Sequence, residues 1–333
     1  MAKKFNHTED AILQAKCLNL VIKEGSKDAS ELKKYERILK VFGIILVYAF
    51  LTLMALVVLV PFYWMIITSL KSNDEIRNDL TYFPQTIQWA NYSILFNGAP
   101  TGTFEGNTSP IRAFPFWTYL SNTLLVGVIS TAGTLVTTIF AAFAFSRLNF
   151  KGKNFLFTIF LGTMMIPGEM MVITNYMTVA DFFGINLLTT KTGVMTAMII
   201  PFWVSVFYIF QLRQNFKQIP NELYYAAKVD GKSDWQYLWK VMVPLASPAL
   251  ITIFILKLMG TWNSYVWPNL VANQEDWRLI TNGLRSYSPS PSGEPHQGLQ
   301  MAATFIVTMP LLLLFIFFRK YIMRGVGRAG LKG

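Results

Sequence analysis

The chain has 333 residues, of which 53% are hydrophobic and only 14% are charged, and its mean hydropathy is +0.39. Because soluble domains contain about 25% charged residues, this composition argues against an ordinary water-soluble enzyme and favours a chain that lies partly in lipid. The single cysteine, Cys17, excludes an intramolecular disulfide framework and a cysteine-based metal cluster. With only two histidines, no metal site is expected.

Six apolar segments are long enough to cross about 30 Å of hydrocarbon as helices. Alternation with a period of two is absent, so the pattern predicts an all-α, polytopic membrane protein with six transmembrane helices. These segments are 41–67, 118–146, 155–175, 192–212, 245–263 and 300–318. Pro61, Pro201 and Pro310 fall within them and predict kinks or helix ends.

The distribution of basic residues predicts the orientation in the membrane. Of the 29 Lys and Arg residues, 22 lie on one side and 6 on the other, although the two sets of segments are nearly equal in length. Basic segments stay in the cytoplasm, so both termini are predicted to be cytoplasmic, and the net charge of +11 reflects topology rather than nucleic-acid binding. The basic segments are 1–40, 147–154, 213–243 and 319–333; the others are 71–117, 176–191 and 264–299.

The segments outside the spans divide the chain further. Residues 1–40 are predicted to be a cytoplasmic extension. The sequence fits both a solvated tail and an amphipathic helix on the inner membrane surface. Residues 41–333 are predicted to form one six-span domain. The first apolar run is too long for the core of a cleavable signal, so it is expected to remain as the first span. The outer segments 71–117 and 264–299 are rich in turn-forming residues and predict loops.

The cytoplasmic segment at about 213–243 contains the most informative motif. From Ile219 to Pro244 the chain reads IPNELYYAAKVDGKSDWQYLWKVMVP. Its middle resembles the end of a phosphate-binding loop, but Ala226 stands where that loop needs glycine, and no strand precedes it. Nucleotide binding by this chain is therefore not expected. The pattern instead predicts two short helices joined at Gly231, with small residues that let another protein pack closely.

The same stretch resembles the coupling loop of binding-protein-dependent ABC importer permeases. Their signature is Glu-Ala-Ala, three residues, Gly, nine residues and Ile-x-Leu-Pro. Shorter stretches, such as MIPGE at 165–169 and GTWN at 260–263, extend the resemblance over about 42–333 and specify the maltose-type carbohydrate branch. Tyr225 stands where the family has its glutamate, and Glu222, on about the same helix face, is the candidate substitute.

The resemblance implies a non-catalytic permease subunit of an ABC importer in the bacterial cytoplasmic membrane. Its expected cargo is a carbohydrate, with an oligosaccharide preferred and glycerol phosphate as the alternative. The implied partners are a second homologous permease, a dimer of ATPase subunits that binds ATP-Mg, and an extracytoplasmic sugar-binding protein; this chain itself binds no cofactor. The residues implied in coupling are Glu222, Tyr225, Ala226, Ala227, Asp230, Gly231 and Pro244.

Candidates for the substrate path lie at the ends of two spans. Trp262, Asn263, Tyr265 and Trp267 lie near the outer end of the fifth apolar run, where ring faces and an amide suit a sugar. An interfacial aromatic belt or plain packing is the alternative explanation of the aromatics. Glu169 is an acid at the end of the third run, where an interfacial position is also open. Lys257 is expected to face the protein interior or to snorkel. A membrane enzyme would need paired acids or a His-containing cluster in the spans, and a channel would not need the coupling loop.

Overall fold

The computed structural model describes residues 7–78, 81–105, 107–289 and 296–327. Helices form nearly all the regular structure in this part of the chain. The strand-like pairings among these residues are two isolated bridges, Ala99–Ile111 and Phe182–Ile185. The prediction of an all-α fold is therefore confirmed for the described residues.

Three long helices have the length and composition of membrane spans. They are α1 (His7–Ser69), α4 (Phe116–Ser146) and α15 (Gln297–Gly327), and their apolar parts are Ile38–Ser69, Phe116–Ser146 and Gln297–Lys320. These parts correspond to the first, second and sixth predicted spans. Pro61 and Pro310 lie inside α1 and α15, so neither proline ends its helix.

The third and fourth predicted spans are broken helices, and the fifth begins at a bend. A break of 84° separates α5 (Lys153–Thr163) from Gly168–Ala180, which ends in α6 (Val172–Ala180). Lys191–Phe202, which begins with α7 (Lys191–Ile199), meets α8 (Val206–Gln218) at 45°. Asp234–Leu245, containing α10 (Asp234–Tyr237) and α11 (Val243–Leu245), meets α12 (Ser247–Trp262) at 75°. The described residues thus contain three helices long enough to span, or up to six if each bent pair is one span.

Prolines account for these breaks. Pro167 precedes the turn at Gly168, Pro201 lies at the bend after α7, and Pro244 and Pro248 flank the bend before α12. Proline lacks an amide hydrogen and clashes with the preceding turn, so a helix kinks or ends there. The predicted effect of Pro201 is confirmed. The exact number of spans stays a prediction.

The chain divides into two compact units, Met1–Trp64 and Met65–Gly333. In the first unit, α1 continues through residue 40 without a break, so the predicted boundary between 1–40 and the six-span domain lies inside one helix. Large apolar side chains from Ile38 to Val60 are more than 40% exposed on all sides of this helix. Such a helix is suited to hydrocarbon rather than water.

In the second unit, α4 is the central helix and packs against α7, α8 and α12. Close approach depends on small residues: a Cβ added at Gly133 would lie 2.3 Å from Nε1 of Trp203. Hydroxyl groups on α4 also bind the backbone exposed at the break between α7 and α8. Thr134 donates to the carbonyl of Phe202 at 3.1 Å, and Thr137 donates to the carbonyl of Trp203 at 2.7 Å. Broken helices are tolerated in a membrane where such groups are satisfied.

The two outer segments are more structured than loops. Four short helices lie in them: α2 (Asn73–Asn78), α3 (Ala90–Asn97), α13 (Val266–Val271) and α14 (Ile280–Ser286). The backbone amide of Arg112 donates to the carbonyl of Pro289 at 2.8 Å, which ties the segments together. The structure adds short helices to the predicted loops, because turn-rich composition does not exclude short helices that pack on a core. That these segments are outer loops stays a prediction. Residues 290–295, part of the Ser/Pro-rich stretch, lie outside the described residues.

Candidate coupling surface and substrate path

The predicted coupling loop consists of two short helices joined at a glycine. Helix α9 (Asn221–Val229) ends just before Gly231, whose φ of +72° lies in the left-handed region that glycine adopts easily. A capping box of Ser233 and Gln236 then begins α10. The predicted arrangement of helix, glycine turn and helix is confirmed.

Side chains on both helices hold the turn in shape. The hydroxyl of Tyr224 donates to Oδ1 of Asp234 at 2.8 Å, and Nζ of Lys228 lies 2.8 Å from the same oxygen. The hydrogen bond from the Lys228 ammonium to the Asp234 carboxylate raises the pKa of Lys228. The two interactions fix the orientation of α9 against α10, so the loop is a formed element rather than a flexible connector.

Helix α9 has one exposed side and one packed side. Glu222, Tyr225, Ala226 and Val229 follow the spacing of one helix face, and all four are exposed. Val229 is 89% exposed and Tyr225 is 63% exposed, so this chain leaves an apolar and an aromatic side chain of α9 uncovered. Asp230 is also exposed, at the end of the same helix. This side of α9, made of Glu222, Tyr225, Ala226 and Val229, is called the coupling surface below.

Ala227 belongs to the packed side. It is 6% exposed and lies in a hydrophobic cluster with Phe216, Tyr237 and Leu238, among others. The sequence pattern predicts that the small residues of this motif pack closely against another protein. In the structure, a larger side chain at position 227 would disturb the hydrophobic cluster of this chain. Packing within the subunit is therefore enough to explain why a small residue is present.

Arg147 connects the end of α4 to the coupling loop. Its guanidinium donates to the carbonyl of Phe216 at 2.8 Å, to the carbonyl of Ile219 and to Oδ1 of Asn221. These acceptors include the last turn of α8 and the first residue of α9. Sequence reasoning gave Arg147 no role in coupling, because a basic residue after an apolar run also fits the ordinary charge pattern at the inner membrane surface.

The chain leaves the coupling loop through an irregular segment. A π-helix over Leu238–Met242 follows α10, and Pro244 is exposed at the bend before α12. Isolated π-helical turns are rare and are frequent at functional sites. The position of Pro244 is consistent with its place in the predicted motif, although its role in coupling stays a prediction.

The four path candidates have different environments. Trp262 is 5% exposed within a hydrophobic cluster, so packing alone accounts for its indole ring. Asn263 is exposed, and the ring of Tyr265 lies 4.3 Å from the guanidinium of Arg285. Glu169 is exposed in the turn between α5 and α6. The structure does not bring these residues together, and their role in a path stays a prediction.

A cavity that sequence reasoning missed lies within the second unit. It has a volume of about 250 Å³ and is bordered by α4, α7, α8, α12 and α13. Its walls include Phe202, Tyr208, Lys257, Thr261, Ser264 and Trp267. The indole of Trp267 is held by a hydrogen bond to the carbonyl of Ala197 at 3.1 Å. The spacing of these residues in the sequence does not indicate the cavity, because α8, α12, α13 and the segments at Phe202 and Ser264 supply them.

In the described residues, a helical core with broken spans and a formed two-helix loop that presents an exposed surface are features that a transporter permease would have. Residues 133–328 match the family described as "Binding-protein-dependent transport system inner membrane component". The chain belongs to this family and is a non-catalytic permease subunit and a multi-pass membrane protein. The family predicted from the coupling motif is confirmed.

Individual relatives agree with this assignment. The chain is 28% identical to the arabinooligosaccharides transport system permease protein AraQ of Bacillus subtilis, over 85% of this chain and 94% of that protein. It is also 28% identical to the sn-glycerol-3-phosphate transport system permease protein UgpE of Yersinia pestis, over 81% and 91% of the two chains. A crystal structure of a bacterial ABC transporter involved in the import of the acidic polysaccharide alginate has the same fold. Its TM-score is 0.70 at 23% identity, covering 85% of this chain and 96% of that one.

Proposed function

We propose that this permease subunit carries a carbohydrate, with an oligosaccharide as the preferred substrate, into the cell. It works beside a second homologous permease and above a dimer of ATPase subunits, which bind and hydrolyse ATP-Mg. An extracytoplasmic binding protein delivers the sugar to the outer side. Family membership and the likeness to an arabinooligosaccharide permease support this proposal.

The observation that carries the proposal is the division of α9 into a packed side and the coupling surface. Ala227 and Tyr224 hold the helix to this chain, whereas Tyr225 and Val229 are left exposed. An ATPase cleft that covers the exposed side can move α9 as a rigid lever. Arg147 then passes this movement to α4, because its guanidinium joins the end of α4 to the start of α9.

The direction of transport follows from the proposed orientation. The 22 to 6 division of basic residues supports a cytoplasmic coupling loop and cytoplasmic termini. The loop then faces the ATPases, and the outer segments 71–117 and 264–299 face the binding protein. The permease performs no covalent chemistry; it changes between inward- and outward-facing states whose populations depend on both partners.

A second candidate substrate is glycerol phosphate. The likeness to UgpE favours it, since that relative is as similar in identity as AraQ. The coupling mechanism is the same for both substrates, so the coupling surface does not distinguish them.

The test is uptake into proteoliposomes that contain this chain, its partner permease, its ATPase and its binding protein. Labelled arabinooligosaccharides, other neutral oligosaccharides and sn-glycerol 3-phosphate are compared, with a non-hydrolysable ATP analogue as the control. We expect ATP-dependent accumulation of an oligosaccharide. Accumulation of glycerol phosphate alone selects the second candidate, and the absence of ATP-dependent uptake for every solute overturns the proposal.

The acidic contact of the coupling surface has a separate test. If Glu222 replaces the family glutamate, Glu222→Gln should lower ATP-driven uptake more than Tyr225→Phe does, without lowering the amount of subunit in the membrane. The contact is partly exposed, so we expect a modest reduction, up to about fivefold. Uptake and substrate-stimulated ATP hydrolysis are measured for both variants. Equal activity would remove Glu222 from the mechanism and leave a steric, apolar contact.

A further inference from the structure

Lys257 lies in the wall of the cavity of about 250 Å³, with its Nζ atom 5.8 Å from the centre of the Phe202 ring. No carboxylate of the described residues lies within 4 Å of its Nζ atom. Nζ donates a hydrogen bond to the carbonyl of Phe202 at 3.1 Å, but a lysine ammonium has three donors. Ionisable groups within a span are costly and usually mark a functional site.

A purely structural role does not account for the lysine. The Phe202 carbonyl also accepts a hydrogen bond from Thr134 at 3.1 Å. This carbonyl, exposed at the helix break, therefore has a hydrogen-bond donor even without Lys257. A neutral side chain could serve the same purpose without placing a charge beside a cavity. The remaining donors of Lys257 are therefore available to a ligand.

The rest of the wall suits a sugar. Phe202 and Trp267, whose rings pack edge to face with their centres 5.9 Å apart, form an aromatic part of the wall, and Thr261 and Ser264 supply hydroxyl groups. Pockets for drug-sized ligands have volumes of about 300–1,000 Å³. The cavity of about 250 Å³ is smaller than this range, so it suits one sugar unit rather than a chain.

We infer that the cavity is a subsite for one anionic sugar unit, with Lys257 as the residue that selects its carboxylate or phosphate group. The inference rests on the proposed function, since it specifies a substrate class for the same permease. An anionic group would give Lys257 the charged partner that the described residues lack. Uronic acids and sugar phosphates share this chemistry.

The single cysteine of the chain makes a direct test possible. In the assembled transporter, Cys17→Ser is combined with Ser264→Cys at the cavity wall. The rates of modification by an anionic and a cationic methanethiosulfonate reagent are then compared. Lys257→Gln should lower the anionic-to-cationic rate ratio roughly tenfold, because the cation attracts one reagent and repels the other. Lys257→Arg should keep the ratio, and a control cysteine at the exposed Thr101 should not respond to either change.

Protection of the same cysteine identifies the ligand class. A galacturonate trimer and glucose 6-phosphate distinguish the carboxylate from the phosphate, and a glucose trimer is the neutral control. Slower modification with either anionic sugar, but not with the glucose trimer, supports the inference. The protection measurements are made on a protein in which Lys257 is unaltered. They therefore test the inference even if the Lys257→Gln variant does not fold.

An unchanged rate ratio in Lys257→Gln, or equal protection by the glucose trimer, would overturn the inference. It would leave Lys257 as a structural partner of Phe202. ATP-dependent uptake of neutral oligosaccharides would still support the proposed function in that case, so the two can fail separately.

Discussion

Ala226 and Ala227 are adjacent in the coupling motif but differ in their surroundings. Ala227 is 6% exposed and packs in the core, whereas Ala226 is exposed on the coupling surface. Ala227→Leu should overpack the cluster and destabilise the subunit by about 1–3 kcal/mol. Ala226→Leu should leave stability unchanged and lower ATP-driven uptake. Thermal unfolding of the purified complex and uptake in proteoliposomes separate the two effects; equal loss of stability in both variants would contradict the assigned faces.

Position 231 requires glycine because of its backbone conformation, not because a side chain would lack space. An added Cβ would meet no atom within 4 Å, but the φ of +72° is strained for other residues. Gly231→Ala should therefore destabilise the loop by about 1 kcal/mol, and Gly231→Asn should recover much of this loss. Gly162→Ala, in the exposed helical part of α5, is the matched control and should be neutral or stabilising. A thermal midpoint for Gly231→Ala at or above that of the unaltered chain would show that the turn is not strained.

Comparing the predicted helices and turns with those in the structure shows which parts of the fold can be predicted from the sequence. The spans at α1, α4 and α15 were predicted because their apolar runs are long and uniform. The sequence does not predict the breaks at Pro167 and near Pro248. A proline within an apolar run can bend or end the helix, but the helix can also continue through it, as α1 continues through Pro61. The sequence motif predicted the turn at Gly231 because backbone conformation is a local property. The packed side of α9 and the cavity beside Lys257 depend on helices far apart in sequence, so no local pattern could indicate them.

The connection between α4 and α9 gives a prediction at the same scale. Arg147→Lys keeps the positive charge but cannot reproduce the fork that reaches Phe216, Ile219 and Asn221 together. We expect normal amounts of subunit and a clear loss of ATP-driven uptake per unit of ATP hydrolysed. Lys151→Gln, an exposed basic residue nearby, is the control for charge alone. Full coupling in Arg147→Lys would show that α4 does not transmit the movement of α9.

For the whole molecule, the distribution of basic residues makes a prediction about topology. A reporter fused after Gly333 or inserted at Lys232 should behave as cytoplasmic, and one inserted at Thr101 should behave as external. The physical reason is the retention of basic segments on the inner side of the membrane. Paired alkaline phosphatase and fluorescent-protein fusions report each position. An external C-terminus would reverse the orientation on which the coupling mechanism depends.

The hydrogen bonds around Phe202 also have a consequence for how the chain is made. Thr134 and Thr137 precede the broken helix in sequence, so both donors are already present when Phe202 and Trp203 leave the ribosome. Lys257 follows Phe202 by 55 residues, which corresponds to about 3–11 s of synthesis at roughly 5–20 residues per second. The carbonyls of Phe202 and Trp203 can therefore be covered by α4 before Lys257 is made. Lys257 then joins a carbonyl, that of Phe202, which already has a donor on α4.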